Sequence, residues 1–138
     1  MNSNLDSSDI DLLAKDLFDA VLDVTSNGIE LHGVDYFEDQ SLSSIWLATA
    51  RVGQAFSKRT EAFLWIFERL LRQGRIKLHR NGVFLESSVK EQVDAFRSAW
   101  PRSVADSGYE DFYWWFFDPE CPAGVAWRHD DGNYVIAD

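Results

Sequence analysis

Ionisable chemistry in this 138-residue chain rests on 23 acids, 13 Lys and Arg residues, three histidines and one cysteine. Glu120, Cys121, His129 and Asp130 are the nearest approach to a nucleophile with a base. Cys121 stands between Glu120 and Pro122 with no neighbouring cation to stabilise a thiolate, so it reads as structural. His32, His79 and His129 are widely spread, without the His-x3-His or Cys-x2-Cys spacing that closes a metal site. Glu38/Asp39, Glu110/Asp111 and Asp130/Asp131 are paired carboxylates. General acid–base work needs carboxylates that converge on a cleft with separated pKa values, and sequence neighbours do not converge. The glycines are isolated, so no phosphate-cradling loop exists. The expectation is a protein without catalytic residues, metal ligands or cofactor: no enzyme.

Charge layout is more informative. Residues 1–40 hold ten acids and one base, 41–105 five acids and eleven bases, and 106–138 eight acids and one base. The segment values of −9, +6 and −7 give a net −10. Such a chain repels phosphate backbones and suits a basic protein partner. The basic centre pairs internally in one reading; in the other, the two acidic segments form a patch for that partner.

A single cysteine excludes an internal disulfide and points to a reducing compartment. No apolar run approaches the roughly 18 residues of a membrane span. The start MNSNLDSSDIDLL is acidic and polar, unlike a signal peptide. A cytoplasmic protein of one domain, residues 1–138 with 1–7 frayed, is expected.

The elements that must position any site follow from periodicity and punctuation. Ile10, Leu13, Leu17 and Val21 recur at helical spacing over residues 9–26, which Asn27-Gly28 ends. Residues 33–40 read as a loop, and 41–54 as a second helix. Ser57 is positioned to cap a third, whose stripe of Phe63, Leu64, Ile66, Phe67, Leu70 and Leu71 runs to Gly74. Ile76–His79 and Val83–Glu86 flank an Asn81-Gly82 hairpin turn. Ser88 and Glu91 form a capping box for a helix that Pro101 ends. Residues 101–108 read as a loop. Tyr109–Phe117 has strand propensity, with a short helix left open by its length. A turn through Pro119 and Pro122 leads to a second hairpin, Val125–His129 and Asn133–Ile136, around Asp130, Asp131 and Gly132. The fold class is α+β: N-terminal and central helices packed on antiparallel hairpins.

Two readings of function compete for the basic centre and the aromatic run. Residues 60–86, a helix followed by a hairpin, resemble the last helix and wing of a winged-helix domain, with Arg69, Arg72, Arg75, Lys77 and Arg80 facing nucleic-acid phosphates. A recognition helix exposes its middle, however, and AFLWIF reads as buried. The run Tyr113–Phe117 has rings that stack on bases in single-strand binders, but Glu110, Asp111, Asp118 and Glu120 bracket it where a basic groove is needed. Core packing, with one or two rings at an interface, is the better account.

The stretches TEAFLWIFERLLRQGRIKLHRNGVFLESSVKEQVDAFRSAWP and DFYWWFFDPECPAGVAW resemble a family of small acidic bacterial proteins, a domain of unknown function. The resemblance covers residues 56–127. Members of that family often stand beside large secreted adhesin-like toxins of the contact-dependent growth-inhibition type. The resemblance implies an immunity protein that binds the C-terminal toxin domain of its own system and blocks it. It carries no catalytic motif and no binding residues to transfer. A nuclease toxin has a basic cleft, which an acidic inhibitor fills as a phosphate mimic with electrostatically steered association.

Loops present carboxylates outward from a rigid scaffold. The expected contact residues are therefore Asp35, Glu38, Asp39, Asp106, Glu110, Asp111, Asp118, Glu120, Asp130 and Asp131. Tyr36, Phe37 and Tyr109 stand beside them as aromatic anchors.

Overall fold

A computed structural model describes residues 40–52 and 54–137. The expected helix over 9–26, and the loop carrying Asp35, Tyr36, Phe37, Glu38 and Asp39, lie outside the described residues. The described elements are α1 (Leu42–Ala48), a 3-10 segment (Thr49–Val52), α2 (Phe56–Arg72), β1 (Ile76–Arg80) and β2 (Val83–Phe84). There follow α3 (Val89–Ala99), the single turn α4 (Val104–Ser107), a 3-10 helix (Phe112–Phe117), β3 (Gly124–Arg128) and β4 (Tyr134–Ile136). The four strands form one antiparallel sheet in the order β2-β1-β3-β4. The class is α+β.

α2 is the central helix. Its stripe of Phe63, Leu64, Ile66, Phe67, Leu70 and Leu71 is buried in one core with Ile76, Leu78, Val125 and Trp127 of the sheet. Ala62 is buried too, so the middle of α2 faces inward. The helix ends in a Schellman motif: the Gly74 N–H donates to the Leu71 carbonyl and the Arg75 N–H to that of Leu70. Gly74 takes φ +70°, a conformation that suits glycine. Ser57 does not cap α2. The N-cap is Ala55, with no side-chain cap bond, and Ser57 lies inside the first turn. In that turn Arg59 donates to the Trp46 carbonyl at 3.0 Å and to Thr49 Oγ1 at 3.0 Å, closing the C-terminal end of α1.

Two other local expectations need correction, and one left open is decided. The helix expected over 41–54 stays α-helical only to Ala48 and tightens to 3-10 from Thr49. There the Thr49 hydroxyl donates to the Trp46 carbonyl at 2.6 Å. The supposed loop 101–108 contains the turn α4, because Ser103 Oγ accepts the Asp106 N–H and Gly108 closes the turn at φ +85°. Tyr109–Phe117 contributes a 3-10 helix rather than a strand.

The hairpin turn and the capping box are as expected. Arg80 pairs with Val83 across Asn81 and Gly82, whose φ values of 53° and 84° make a type I′ turn. β2 is shorter than expected, ending at Phe84. Both halves of the Ser88/Glu91 box are made, at 3.1 Å and 2.9 Å. β1 pairs with β3 from Ile76↔Trp127 to His79↔Gly124. The Asn81-Gly82 turn and Gly124 therefore share one end of the sheet, and the β3–β4 turn through Asp130 and Asp131 lies at the other.

Candidate protein-binding face

The 3-10 helix Phe112–Phe117 starts where Asp111 Oδ1 accepts the Tyr113 N–H at 3.0 Å. About three residues per turn place i and i+3 on one side. Phe112 and Trp115 accordingly stack on each other, with centroids 5.3 Å apart and planes at 12°. Phe112, Trp115 and Phe116 enter an aromatic cluster with Trp46, Phe56, Phe63 and Trp100. The opposite side carries Tyr113, Trp114 and Phe117, whose rings touch one another at 4.9, 5.6 and 5.9 Å. Trp114 is 55% exposed and Phe117 47%, although each could bury a large apolar area.

Carboxylates flank these rings. Glu110 and Asp111 stand exposed at the start of the 3-10 helix, and Glu120 is exposed just beyond its end. Asp118, directly after Phe117, is fixed twice: its Oδ2 accepts the Tyr109 hydroxyl at 2.5 Å and its Oδ1 the Glu120 N–H at 2.8 Å. Those bonds hold the Asp118 carboxyl below its ordinary range and push the Tyr109 phenol above its own. Asp106 lies exposed on α4, which packs beside the 3-10 helix.

The expected contact residues thus separate. Asp106, Tyr109, Glu110, Asp111, Asp118 and Glu120 belong to one region. Tyr109 is half-buried and positions Asp118 instead of standing out as an anchor. Asp130 and Asp131 lie at the far end of the sheet. There Asp131 accepts from Asn133 N and Nδ2 at 2.9 and 3.1 Å, which lowers its pKa and shapes the turn. The outward rings of Tyr113, Trp114 and Phe117 were missed as a group. The period of three in FYWWFF finds Trp114 and Phe117 on one side, but it would pair Tyr113 with the buried Phe116.

The central bases have local partners. Arg72 pairs with Glu68 at 2.7 Å, Lys90 with Asp94 at 2.8 Å and Arg97 with Glu61 at 2.8 Å. Arg69 lies 4.4 Å from the Trp65 ring centroid, and Lys77 lies over Phe84 and Tyr134. Arg75 donates to Gln73 at 3.1 Å. These ion pairs among the described residues stay within the central segment, so they do not neutralise the acids of 106–137. Arg59 is the closest exception: burial lowers its pKa, and the nearby Asp111 carboxylate raises it.

Beside Phe117 a cleft of about 430 Å³ opens between the first hairpin and the 116–124 segment. His79, Asn81, Phe116, Asp118, Pro119 and Gly124 are among its walls. Alternation from Lys77 would leave His79 exposed, yet it is 95% buried, at 5% exposure. Its Nδ1 accepts the Gly82 N–H at 3.1 Å, which assigns the ring proton to Nε2. Nε2 is buried without a hydrogen-bond partner among the described residues. Arg80 Nη1 donates to the Pro122 carbonyl at 2.6 Å, tying the two walls together. Cys121 is buried, with Sγ 3.6 Å from the Ala123 carbonyl oxygen. Among the described residues no cluster of His, Cys, Asp and Glu is arranged to hold a metal ion, and no helix is long and apolar enough to cross a membrane.

Residues 71–136 match the model of a family described as a protein of unknown function, DUF596. A solved structure, an uncharacterized protein conserved in bacteria from Neisseria meningitidis, is similar at a TM-score of 0.74 and 26% identity. The similarity covers 93% of this chain and 92% of that one. No curated protein matches.

Proposed function

We propose that this chain is a binding protein: an immunity protein that holds a basic toxin domain, a nuclease in the simplest case, and blocks it. The observation that carries this reading is the Tyr113–Trp114–Phe117 surface, three mutually packed rings, of which Trp114 and Phe117 are exposed and Tyr113 half-buried, among Glu110, Asp111, Asp118 and Glu120. Tight interfaces centre on desolvated aromatic anchors, and charges at their rims set on-rate and partner choice. Trp114 and Phe117 are the anchors. The carboxylates steer a basic cleft toward them and stand where nucleic-acid phosphates would. The resemblance to immunity proteins supports the same reading.

The test is co-expression with the product of the adjacent upstream gene, which the proposal expects to carry the toxin domain. The expected result is co-purification and restored growth. No complex together with no protection would end the proposal. Nucleic-acid binding through residues 60–86 has less to stand on, because the middle of α2 is buried and its Arg72 is paired. A DNA shift titrated with salt and altered by replacing Arg75, Lys77 and Arg80 would revive it.

A further inference from the structure

We propose that the outer edge of β4 docks an extended segment of another protein, a strand of apolar side chains with Lys or Arg at its C-terminal end. The site is separate from the ring-and-carboxylate face and does not rest on the reading given to that face. β4 ends the sheet order, so one side of it pairs with β3 and the other with no described strand. The ladder fixes which groups face out. The His129 N–H donates to the Asn133 carbonyl at 2.8 Å and the Ala137 N–H to the Val125 carbonyl at 2.9 Å, so Asn133, Val135 and Ala137 turn their backbone groups to β3. Alternation directs the N–H and C=O groups of Tyr134 and Ile136 outward. An open row of this kind is a template for an added strand.

The edge lacks the usual guards. Tyr134, Val135 and Ile136 include no charge and no proline, and their ladder runs from Asn133 to Ala137, whereas β2 at the opposite edge is only Val83–Phe84. Val135 shares the core-side face with Trp127, and Ile136 the other face with Ala126. They are 42% and 45% exposed, so an added strand covers apolar surface on both faces. Charge then selects the strand. Antiparallel pairing, the more stable arrangement, lays the C-terminal end of the incoming segment beside the β3–β4 turn. Asp130 and Asp131 stand exposed there, and the Arg128 guanidinium lies instead beside Gly74. Asp131 is engaged with Asn133, but Asp130 holds no hydrogen bond or ion pair among the described residues. Lys or Arg at that end of the strand answers its charge. A second copy of this chain does not, because it would bring together two molecules of net charge −10.

The experiment is an NMR titration of the intact chain at low salt with the capped peptide Thr-Val-Thr-Val-Lys-Lys, reading backbone shifts and amide hydrogen exchange. Thr-Val-Thr-Val-Glu-Glu, which reverses the charge, and Pro-Pro-Pro-Pro-Lys-Lys, which keeps it but lacks strand N–H donors, are the comparison probes. Saturable shifts centred on residues 133–137 are expected, with exchange of the Tyr134 and Ile136 amides slowed at least about tenfold at saturation and both other peptides at least about tenfold weaker. Ile136→Pro removes an outward donor and no bond to β3, so it should lose the peptide, while Ile136→Val should keep it. Exchange of the two amides in the unaltered protein decides the matter if Ile136→Pro does not fold. The proposal is overturned if the first peptide gives no saturable shift, if the Tyr134 and Ile136 amides stay unprotected, or if either comparison peptide binds equally well. Protection of those amides that grows with protein concentration, without peptide, would place a second copy on the edge and overturn it too.

Discussion

Adjacent tryptophans in this chain do opposite work. Trp115 is 1% exposed and stacked on Phe112, while Trp114 stands 55% exposed one position earlier. Trp115→Ala is expected to cost about 3–5 kcal/mol, as large aromatic truncations in cores do. Trp114→Ala should change stability by less than about 0.5 kcal/mol, the usual range for a surface change. Urea unfolding of the two variants checks both values. Tyr109 and Asp118 give a pH-dependent prediction. The Asp118 carboxyl is held below its ordinary range by the Tyr109 hydroxyl and the Glu120 N–H. Its contribution to stability is present above the unfolded carboxylate pKa and is lost as pH falls through the folded one. The Tyr109 phenol is raised, chiefly by Asp118, so its contribution is present below the unfolded phenol pKa and lost as pH rises through the folded one. Tyr109→Phe should therefore be less stable than the parent at neutral pH. The difference should close in acid below the carboxylate range and again in alkali above the phenol range. Denaturant midpoints across pH measure it; a gap constant with pH would contradict the pairing.

At the scale of elements, the devices that the sequence made legible are local ones. Ser88 and Glu91 exchange hydrogen bonds over three residues, Asn81-Gly82 supplies two positive φ values, and Gly74 stops α2. Each depends on a few neighbours, so residue type and spacing suffice. Ser88→Ala should cost about 1 kcal/mol by removing the acceptor for the Glu91 N–H, and thermal unfolding will show it. Gly74→Ala should cost about 1–2 kcal/mol for a left-handed alanine. The elements that were not legible depend on distant partners. The aromatic 3-10 helix has strand-like composition, but its rings are claimed by Trp46, Phe63 and Trp100 from three other parts of the chain. α1 shortens where Arg59, from the next helix, completes its final turn. His79 defeats simple strand alternation because the 116–124 segment folds over the end of β1. Tertiary contact outweighs local propensity in all three.

For the whole molecule, charge segmentation pointed to the acidic segments at both ends of the chain, and the fold divides the C-terminal one between two ends of a sheet. Asp106, Glu110, Asp111, Asp118 and Glu120 gather near the exposed rings, whereas Asp130 and Asp131 do not. Sequence could supply the sign of the charge but not this grouping, which is set by the β1–β3 register. The most direct measurement is the affinity of the purified chain for the proposed partner, the product of the adjacent upstream gene, comparing Trp114→Ala/Phe117→Ala with Asp130→Asn/Asp131→Asn. The first pair should weaken binding by at least about thirtyfold, as the loss of a roughly 2 kcal/mol anchor does. It should also abolish protection of growing cells, while the second pair leaves both unchanged. Binding that survives the aromatic pair, or fails with the aspartate pair, would contradict the account.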